Sequence, residues 1–126
     1  MHHHDAGYIE KLLQGWEEVH KKGQLTFWIL LALKDGPKHM AGIKSFIDEA
    51  TNHAFTVDDQ SMYRALRRYY ETELADYEAA PGHGPDRKVY RLSPIGEDVL
   101  RQFARRNIVD TLYKPAIKSL IERTVR

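Results

Sequence analysis

One run of turn-forming residues limits the fold more than any other part of this 126-residue sequence. Residues 80–86 read APGHGPD, and short alternating runs of polar and apolar residues flank them at 74–77 and 88–92. Two such runs around a turn predict a β-hairpin with a long loop. Helical periodicity occupies both sides of this hairpin. The sequence therefore predicts a mostly α fold with one small β-hairpin.

Four helices are predicted before the hairpin, from apolar residues that recur every three or four positions. They span residues 8–23, 24–34, 38–50 and 58–72. The second helix is apolar nearly all round, which is typical of a central core helix. Gly23 is the predicted stop between the first two helices, and either Thr56 or Asp58 could cap the fourth.

One long helix is predicted after the hairpin. Ser93 and Pro94 form a strong helix start, because serine can cap a helix and proline suits its first position. We expect this helix to continue until Lys114 and Pro115 bend or end it, and a second apolar stripe follows. At the other end of the chain, residues 1–7 are expected to be disordered or tag-like, and the three histidines there resemble a cloning remnant.

Three core helices followed by a hairpin are typical of a winged helix-turn-helix. In that arrangement the last core helix enters the major groove of DNA and the hairpin, called the wing, contacts the backbone or the minor groove. Residues 24–93 are therefore predicted to form a winged helix-turn-helix. Residues 8–23 and 94–126 are predicted to be dimerisation helices on either side of it.

The fourth predicted helix has the two faces that a DNA-reading helix needs. An apolar face suited to docking on the core contains Met62, Ala65, Leu66 and Tyr69. The other positions carry candidate DNA-binding side chains, namely Gln60, Ser61, Tyr63, Arg64, Arg67 and Arg68. Arginine can bond guanine with two hydrogen bonds, and glutamine can do so with adenine. The alternative is a merely solvated basic face, with Tyr63 half-buried in the core.

Candidate DNA contacts outside this helix lie in the wing and in the third helix. His83, Arg87 and Lys88 could hold phosphates at the wing, over residues 81–88, and Lys44 is a candidate in the third helix. Arg87 and Lys88 could instead be solvated, and a lone histidine is more often structural. The predicted partner of these residues is double-stranded DNA.

The net charge of the chain is only +1, with 19 Lys and Arg against 18 Asp and Glu. This total hides an uneven distribution, because residues 101–126 contain seven bases and two acids. DNA responds to the local field within a Debye length of about 8–10 Å, not to the sum over a chain. The near-neutral total therefore limits indiscriminate binding more than it argues against DNA.

Composition and motifs exclude several classes of protein. Cysteine is absent, which excludes disulfide scaffolds, thiolate zinc sites and cysteine nucleophiles and suits a reducing cytoplasm. The sequence has no serine-hydrolase elbow, phosphate-binding glycine loop or zinc-protease motif. We therefore expect neither an enzyme nor a metal or cofactor site. No apolar run approaches the roughly 18 residues that span a bilayer, so a cytoplasmic location away from membranes is expected.

A dimer is predicted because one winged helix reads only a few base pairs, and useful affinity normally requires two copies on a two-fold site. Apolar stripes near both ends of the chain exceed what the small central core should need. The predicted interface residues are Leu12, Leu13, Trp16, Val99, Phe103, Leu112, Ile117 and Leu120. These residues could instead fold back on their own domain.

Three segments resemble the PadR-like transcriptional regulators: MYRALRR at 62–68, LADYE at 74–78 and GPDRKVYRLSPIG at 84–96. That family typically has L-Y-x-x-L-x-R-L in its reading helix and P-x-R-K-x-Y-x-L-T-x-x-G across its wing, and the wing motif is the more specific. The resemblance implies a homodimeric bacterial repressor. It places Arg64, Arg67 and Arg68 in the groove-facing helix and Arg87 and Lys88 in the wing.

The sequence departs from the family pattern after the reading helix, where Glu73 replaces a glycine suited to a left-handed helix cap. The resemblance also suggests, for some members, a flat aromatic effector bound between subunits, with phenolic acids as the family-level expectation. Trp16 and Trp28 could line such a pocket, although aromatic residues on an apolar stripe are more often core. The alternative function is a winged helix whose basic face docks an acidic protein.

Overall fold

The computed structural model describes residues 5–82 and 88–126. Over these ranges the elements are α1 Ala6–Asp35, α2 Met40–Ala50, α3 Asp59–Glu71, β1 Ala75–Ala79, β2 Lys88–Leu92, α4 Pro94–Ala104, a π-helical segment Arg105–Val109 and α5 Pro115–Thr124. The predicted order of helices, hairpin and C-terminal helices is confirmed. The predicted winged helix-turn-helix is therefore correct, with α3 as its last core helix and the β1–β2 hairpin as its wing.

The N-terminal half of the chain differs from the prediction, because the first two predicted helices are one helix of 30 residues. Gly23 lies inside α1 and does not end it. Glycine in a helix interior costs about 1 kcal/mol but keeps its N–H, so it leaves the hydrogen-bond ladder intact. The start is also earlier than predicted: the Asp5 carboxylate accepts from the amides of Gly7 at 2.9 Å and Tyr8 at 3.2 Å. Residues 6 and 7 are thus helical.

The core lies where α1, α2 and α3 meet the wing. Ile29, Ile43, Ile47, Met62 and Leu66 are its largest fully buried side chains. They recur at intervals of about four within α2 and α3, which is the spacing of one helical face. The core therefore holds the helix-turn-helix together, and the first half of α1 lies outside it.

Two caps and one turn set the direction of α2 and α3. The ring nitrogen Nδ1 of His39 accepts from the amide of Gly42 at 3.2 Å and caps α2. Between the helices, Asn52 and His53 adopt left-handed backbone angles, with φ of 53° and 65°. Asp58 then caps α3, which decides between the two predicted caps. Capping satisfies backbone N–H groups that the first turn of a helix leaves free.

The wing is tied to the core along its second strand. β1 and β2 are antiparallel, with Ala75 opposite Leu92 and Ala79 opposite Lys88. On its other edge β2 bonds to Lys38: the Lys38 amide donates to Tyr90 O at 3.0 Å, and the Tyr90 amide donates to Lys38 O at 2.8 Å. This bridge fixes β2 beside the segment between α1 and α2.

The C-terminal end of α3 forms a Schellman motif. The amide of Leu74 donates to Tyr69 O at 2.8 Å, the amide of Glu73 donates to Tyr70 O at 3.2 Å, and Glu73 has a φ of 65°. Glycine adopts this left-handed conformation without a steric cost, whereas a residue with a Cβ does not. The protein should therefore be more stable with glycine at position 73. This agrees with the sequence comparison, in which Glu73 replaces a glycine of the family pattern.

We expect Glu73→Gly to raise the free energy of unfolding by about 1 kcal/mol, because it relieves the left-handed backbone strain. Urea denaturation followed by circular dichroism at one fixed protein concentration measures the change. The matched control is Glu71→Gly, which removes the same charge at an ordinary helical position and should lower stability by about 0.5–1 kcal/mol. Equal effects of the two substitutions would contradict the strain at Glu73.

The helix that follows the wing ends earlier than predicted. The long helix expected up to Pro115 ends at Ala104, and a π-helical segment and a turn follow. The Asn107 amide nitrogen donates to Phe103 O at 3.0 Å, and Thr111 Oγ1 donates to Asn107 O at 2.6 Å. Side chains that bond backbone carbonyls in this way compete with the regular helix ladder. Leu112 consequently lies in the turn and not on a helical stripe.

Among residues 5–82 and 88–126, every helix is too short or too polar to serve as a membrane span.

Candidate nucleic-acid interface

The outer face of α3 is basic and exposed. Gln60, Tyr63, Arg64, Arg67 and Arg68 are all exposed, whereas the apolar residues on the opposite face are buried. Tyr63 is 46% exposed, so both its predicted DNA contact and the half-buried alternative remain open. The amphipathic pattern of the sequence thus predicted correctly which face of α3 points outward.

The three arginines of α3 are available for an anionic partner. Within the described ranges, none of Arg64, Arg67 and Arg68 forms an ion pair with a carboxylate. Among the described residues, the one side-chain hydrogen bond of these arginines is a long one, from Arg64 Nη2 to Ser61 Oγ at 3.4 Å. Each guanidinium can therefore turn toward phosphate or a base edge without first breaking an ion pair.

Ser61 is half-buried and holds the start of α3. Its amide donates to Asp58 Oδ1 and its hydroxyl donates to Asp58 Oδ2, both at 2.8 Å. These two hydrogen bonds lower the pKa of Asp58, and the bond from the Ser61 amide has the larger effect. The carboxylate is therefore ionised at neutral pH, where it stabilises the positive end of the helix dipole. The Ser61 hydroxyl already donates to Asp58. To make its predicted DNA contact as a donor, Ser61 would first have to give up this hydrogen bond.

Lys44 connects α2 to α3. Its ammonium group pairs with the carboxylate of Asp59 in the first turn of α3. A DNA phosphate would have to compete with this carboxylate for Lys44. The predicted DNA contact of Lys44 therefore has a structural alternative, which is to fix the angle between the two helices.

The described part of the wing presents one cation beside an aromatic ring. The Lys88 ammonium lies 4.7 Å from the centre of the Tyr77 ring. By contrast, Arg91 on the same strand pairs with Asp76 at 2.8 Å and Glu78 at 3.0 Å, and these hydrogen bonds raise its pKa. Lys88 is thus the better placed cation for a phosphate. The predicted contacts His83 and Arg87 lie outside the described residues.

Four tyrosines, Tyr63, Tyr70, Tyr77 and Tyr90, lie between α3 and the wing. The ring centroids of Tyr70 and Tyr77 are 4.9 Å apart, and those of Tyr77 and Tyr90 are 5.6 Å apart. The pKa of Tyr90 is raised mainly by burial of its hydroxyl and, to a smaller extent, by the electrostatic effect of Tyr77 and Tyr63. Sequence reasoning missed Tyr70 and Tyr77. The signal was the seven-residue spacing of Tyr63 and Tyr70, which places both on one side of α3.

The two tryptophans occupy different environments. Trp16 is 74% exposed in the first half of α1, and Trp28 packs against the core. They are twelve residues apart on one helix, which corresponds to about 18 Å along its axis. Within one chain they therefore do not face a common ring-sized ligand. A pocket between subunits stays a prediction.

The predicted dimer residues leave a large apolar surface exposed in the single chain. All eight are exposed, namely Leu12, Leu13, Trp16, Val99, Phe103, Leu112, Ile117 and Leu120. In addition, α5 has no buried residue at all. Large exposed apolar patches are uncommon on monomeric proteins.

Comparison with known proteins agrees with this geometry. The model of the transcriptional regulator PadR-like family matches residues 29–102, which include all of α2, α3 and the wing. The chain belongs to the PadR-like family. Because members of this family are transcriptional regulators, membership agrees with the expectation that the protein is not an enzyme.

Solved structures of PadR-like proteins have the same fold. A PadR-like transcription factor from Bacteroides fragilis is 26% identical, over 87% of this chain and 95% of that one, with a TM-score of 0.60. A PadR family regulator from Eggerthella lenta is 20% identical over 93% and 98%, with a TM-score of 0.70. Bacillus subtilis PadR in complex with operator DNA is 20% identical over 63% and 46%, with a TM-score of 0.55. No curated protein matches the chain.

Proposed function

We propose that this PadR-like protein is a DNA-binding repressor that acts as a homodimer on a two-fold operator. In each protomer α3 enters the major groove and the wing contacts the backbone. The observation that carries the proposal is the exposed row of three arginines on α3, which have no carboxylate partner among the described residues. The operator complex of Bacillus subtilis PadR supports the choice of partner.

Base reading is assigned to the centre of the exposed face of α3. Gln60, Arg64 and Arg67 point most directly away from the buried side, because they are spaced four and three residues apart. A bidentate pair of arginine with guanine discriminates by about 1–3 kcal/mol against a wrong base. Arg68 lies toward the edge of this face, where a phosphate contact suits it better. Lys88 supplies a second phosphate contact from the wing.

The homodimer is proposed from the exposed apolar residues of α1, α4 and α5. Burying them against a second copy removes apolar surface from water, at roughly 25 cal/mol per Å². Two copies related by a two-fold axis also double the number of arginines that face DNA, which a weakly basic chain with a net charge of +1 needs. An aromatic effector that enters between the subunits beside Trp16 would change their spacing and release the operator.

The DNA-binding proposal predicts steep salt dependence. Selection from random duplexes should enrich one two-fold sequence, because base-edge contacts from two copies specify two half-sites. Between 50 and 200 mM salt the affinity for that duplex should fall by about a thousandfold, since each neutralised phosphate releases counterions. Fluorescence anisotropy measures the affinity. The absence of any enriched sequence, together with salt-insensitive binding, would reject the proposal in favour of a protein partner.

The dimer proposal predicts a solution mass of twice the 14.7 kDa of one chain. Leu120→Glu places a charge in the exposed apolar stripe of α5 and should shift the protein to single chains, because a buried carboxylate without a partner is costly. Multi-angle light scattering measures both masses. Lys118→Glu, on the same helix but outside the stripe, is the matched control and should remain a dimer. A single-chain mass for the intact protein would contradict the proposal.

A further inference from the structure

Lys38 is a lysine whose charged end is largely enclosed by protein groups. It lies in the segment between α1 and α2, and its side chain is only 17% exposed. The ammonium group donates to Ala32 O at 2.8 Å and to Gly36 O at 3.3 Å. It also pairs with Asp35 at 2.9 Å and lies 5.2 Å from the centre of the Phe46 ring on α2. Lysine is rarely buried without such partners, so these contacts fix the side chain in one place.

The bond to Ala32 O compensates for a gap in the hydrogen bonding of α1. Ala32 is fully buried, and it lies in the last turn of the helix, whose final four carbonyls lack the usual amide partners. The Gly36 amide, which would serve Ala32 O in a regular helix, donates to Leu33 O at 3.2 Å instead. A buried carbonyl without a donor is unfavourable, so the Lys38 ammonium ties its own segment to the end of α1. The Asp35 carboxylate is 59% exposed, and an exposed ion pair of this kind contributes little.

The main chain of Lys38 holds the wing. Its amide and carbonyl exchange two hydrogen bonds with Tyr90, at 3.0 and 2.8 Å. Tyr90 is the central residue of β2, and Lys88 is the first residue of the same strand. The two lie about 7 Å apart along the strand. Because the side chain of Lys38 is bound to α1 and its main chain to β2, one residue connects the end of α1 to the strand that carries the wing cation.

We propose that Lys38 is a positioning residue for DNA binding. Its ammonium group holds residues 36–39 on the end of α1, and its main chain thereby sets the place of β2, and with it Lys88, relative to the core. Lys38 does not contact DNA itself, because protein groups already surround its charge. A wing that is held in place before binding loses less conformational freedom on DNA, which raises affinity. This effect on affinity rests on the proposed DNA-binding function, whereas the anchoring of β2 is a property of the free protein.

Hydrogen exchange tests the anchoring of β2 without DNA. Lys38→Met keeps an apolar stem of similar length but removes the ammonium group. Exchange of the Tyr90 amide, which donates to Lys38 O, should accelerate at least about tenfold more than exchange of the Leu66 amide on the buried face of α3, because the bridge opens locally. Two-dimensional NMR follows both amides. Equal acceleration of the two would indicate global destabilisation alone and would overturn the proposal. Lys38→Gln, which keeps the site polar, serves with the same criterion should Lys38→Met fail to fold.

Duplex binding tests the consequence for function. Lys38→Met should weaken the affinity for the selected duplex at least about fivefold, because a loosened wing must be ordered when DNA binds. Lys88→Gln should weaken binding about fivefold in the otherwise unaltered protein but less than about twofold in the Lys38→Met protein, since an unanchored Lys88 no longer supplies a fixed contact. Fluorescence anisotropy measures the four affinities. A merely structural role of Lys38 would leave the two effects additive, and additivity would overturn the link between Lys38 and the wing.

Lys34→Met is the matched control. Lys34 lies in the last turn of α1 and pairs with Glu97 at 2.9 Å, so the substitution removes the same charge and one ion pair but leaves the bridge to Tyr90 intact. It should change the duplex affinity by less than about twofold, and exchange of the Tyr90 amide should keep its rate. An effect equal to that of Lys38→Met would show that loss of charge alone is responsible, and would overturn the proposal.

The two measurements separate the positioning role from the proposed function. If the protein bound no duplex at all, the proposed function would fail, whereas selective acceleration of exchange at Tyr90 in Lys38→Met would still support the anchoring of β2. If duplex binding were strong and unchanged by Lys38→Met, the proposed function would stand and the positioning role of Lys38 would be rejected.

Discussion

Gly96→Ala is expected to destabilise the protein by at least about 3 kcal/mol. Gly96 lies in the first turn of α4, against the segment between α3 and β1. A Cβ atom at this position would lie 2.0 Å from the carbonyl oxygen of Leu74, which is a backbone atom. Real Cβ atoms essentially never approach another heavy atom this closely, so either α4 or the start of the wing would have to move.

The surrounding hydrogen bonds prevent that movement from being small. The amide of Ser93 donates to Leu74 O at 3.2 Å, and the Ser93 hydroxyl donates to Glu73 O. The amide of Gly96 donates to Ser93 Oγ at 2.9 Å. Displacing α4 by the required distance breaks contacts on both sides of Ser93, and each buried hydrogen bond lost contributes about 1–3 kcal/mol.

Thermal and urea unfolding at equal protein concentration measure the effect of Gly96→Ala. Helix propensity alone would make an alanine substitution stabilising by about 1 kcal/mol, so the expected sign is opposite to that of an unconstrained site. Gly15→Ala is the matched control, because a Cβ at Gly15 meets nothing within 4 Å. It should stabilise or be neutral. If both substitutions stabilised the protein, the close packing of α4 on Leu74 would be refuted.

The sequence predicted those elements whose ends carry their own chemical signal. Asp58 and the pair Ser93–Pro94 mark helix starts, and the structure places α3 and α4 directly after them. The wing was predictable for the same reason, because a dense run of turn formers separates its two strands. In each of these cases local chemistry and the global fold agree, which is the condition under which sequence patterns are informative.

The errors arose where a residue type permits two outcomes. Gly23 was expected to end a helix, but glycine also fits a helix interior, and nothing at that position removes an amide as proline would. Near the end of α4 at Ala104, Asn107 and Thr111 bond backbone carbonyls, and such bonds have no fixed sequence signature. Periodicity was continuous through this region, so it could not reveal the break.

The candidate site was predicted in part. The exposed face of α3 follows from the position of its buried residues, so Arg64, Arg67 and Arg68 were identifiable from spacing alone. The packing of Tyr70 on Tyr77 was not, because it requires the pairing of β1 with β2 and the packing of β1 against α3. Contacts between distant segments such as Tyr70 and Tyr77 depend on tertiary structure and not on local periodicity.

Replacing Arg64, Arg67 and Arg68 together with alanine is expected to reduce the affinity for the selected duplex by at least about a thousandfold. Each arginine that bonds a base contributes about 1–3 kcal/mol to discrimination, and each phosphate contact adds a counterion-release contribution that all sequences share. The fold should be retained, because all three side chains are exposed and substitutions at exposed sites usually change stability by less than about 0.5 kcal/mol.

A charge-matched triple variant separates local contacts from total charge. Lys11, Lys118 and Arg123 are also exposed, on α1 and α5, and their replacement with alanine lowers the net charge by the same amount. If α3 reads DNA, this control should retain most of the affinity. Similar losses in the two triple variants would show that overall charge governs binding, and α3 would then not be the reading helix.

Single variants assign the role of each arginine. Loss of a base contact should relax the sequence preference at one position of each half-site, whereas loss of a phosphate contact should weaken all duplexes alike and reduce the slope of affinity against salt. From its central place on the exposed face, Arg64 is expected to show the first behaviour and Arg68 the second. The reverse assignment would require α3 to lie in the groove rotated about its own axis, so the two variants together determine how the helix is seated on DNA.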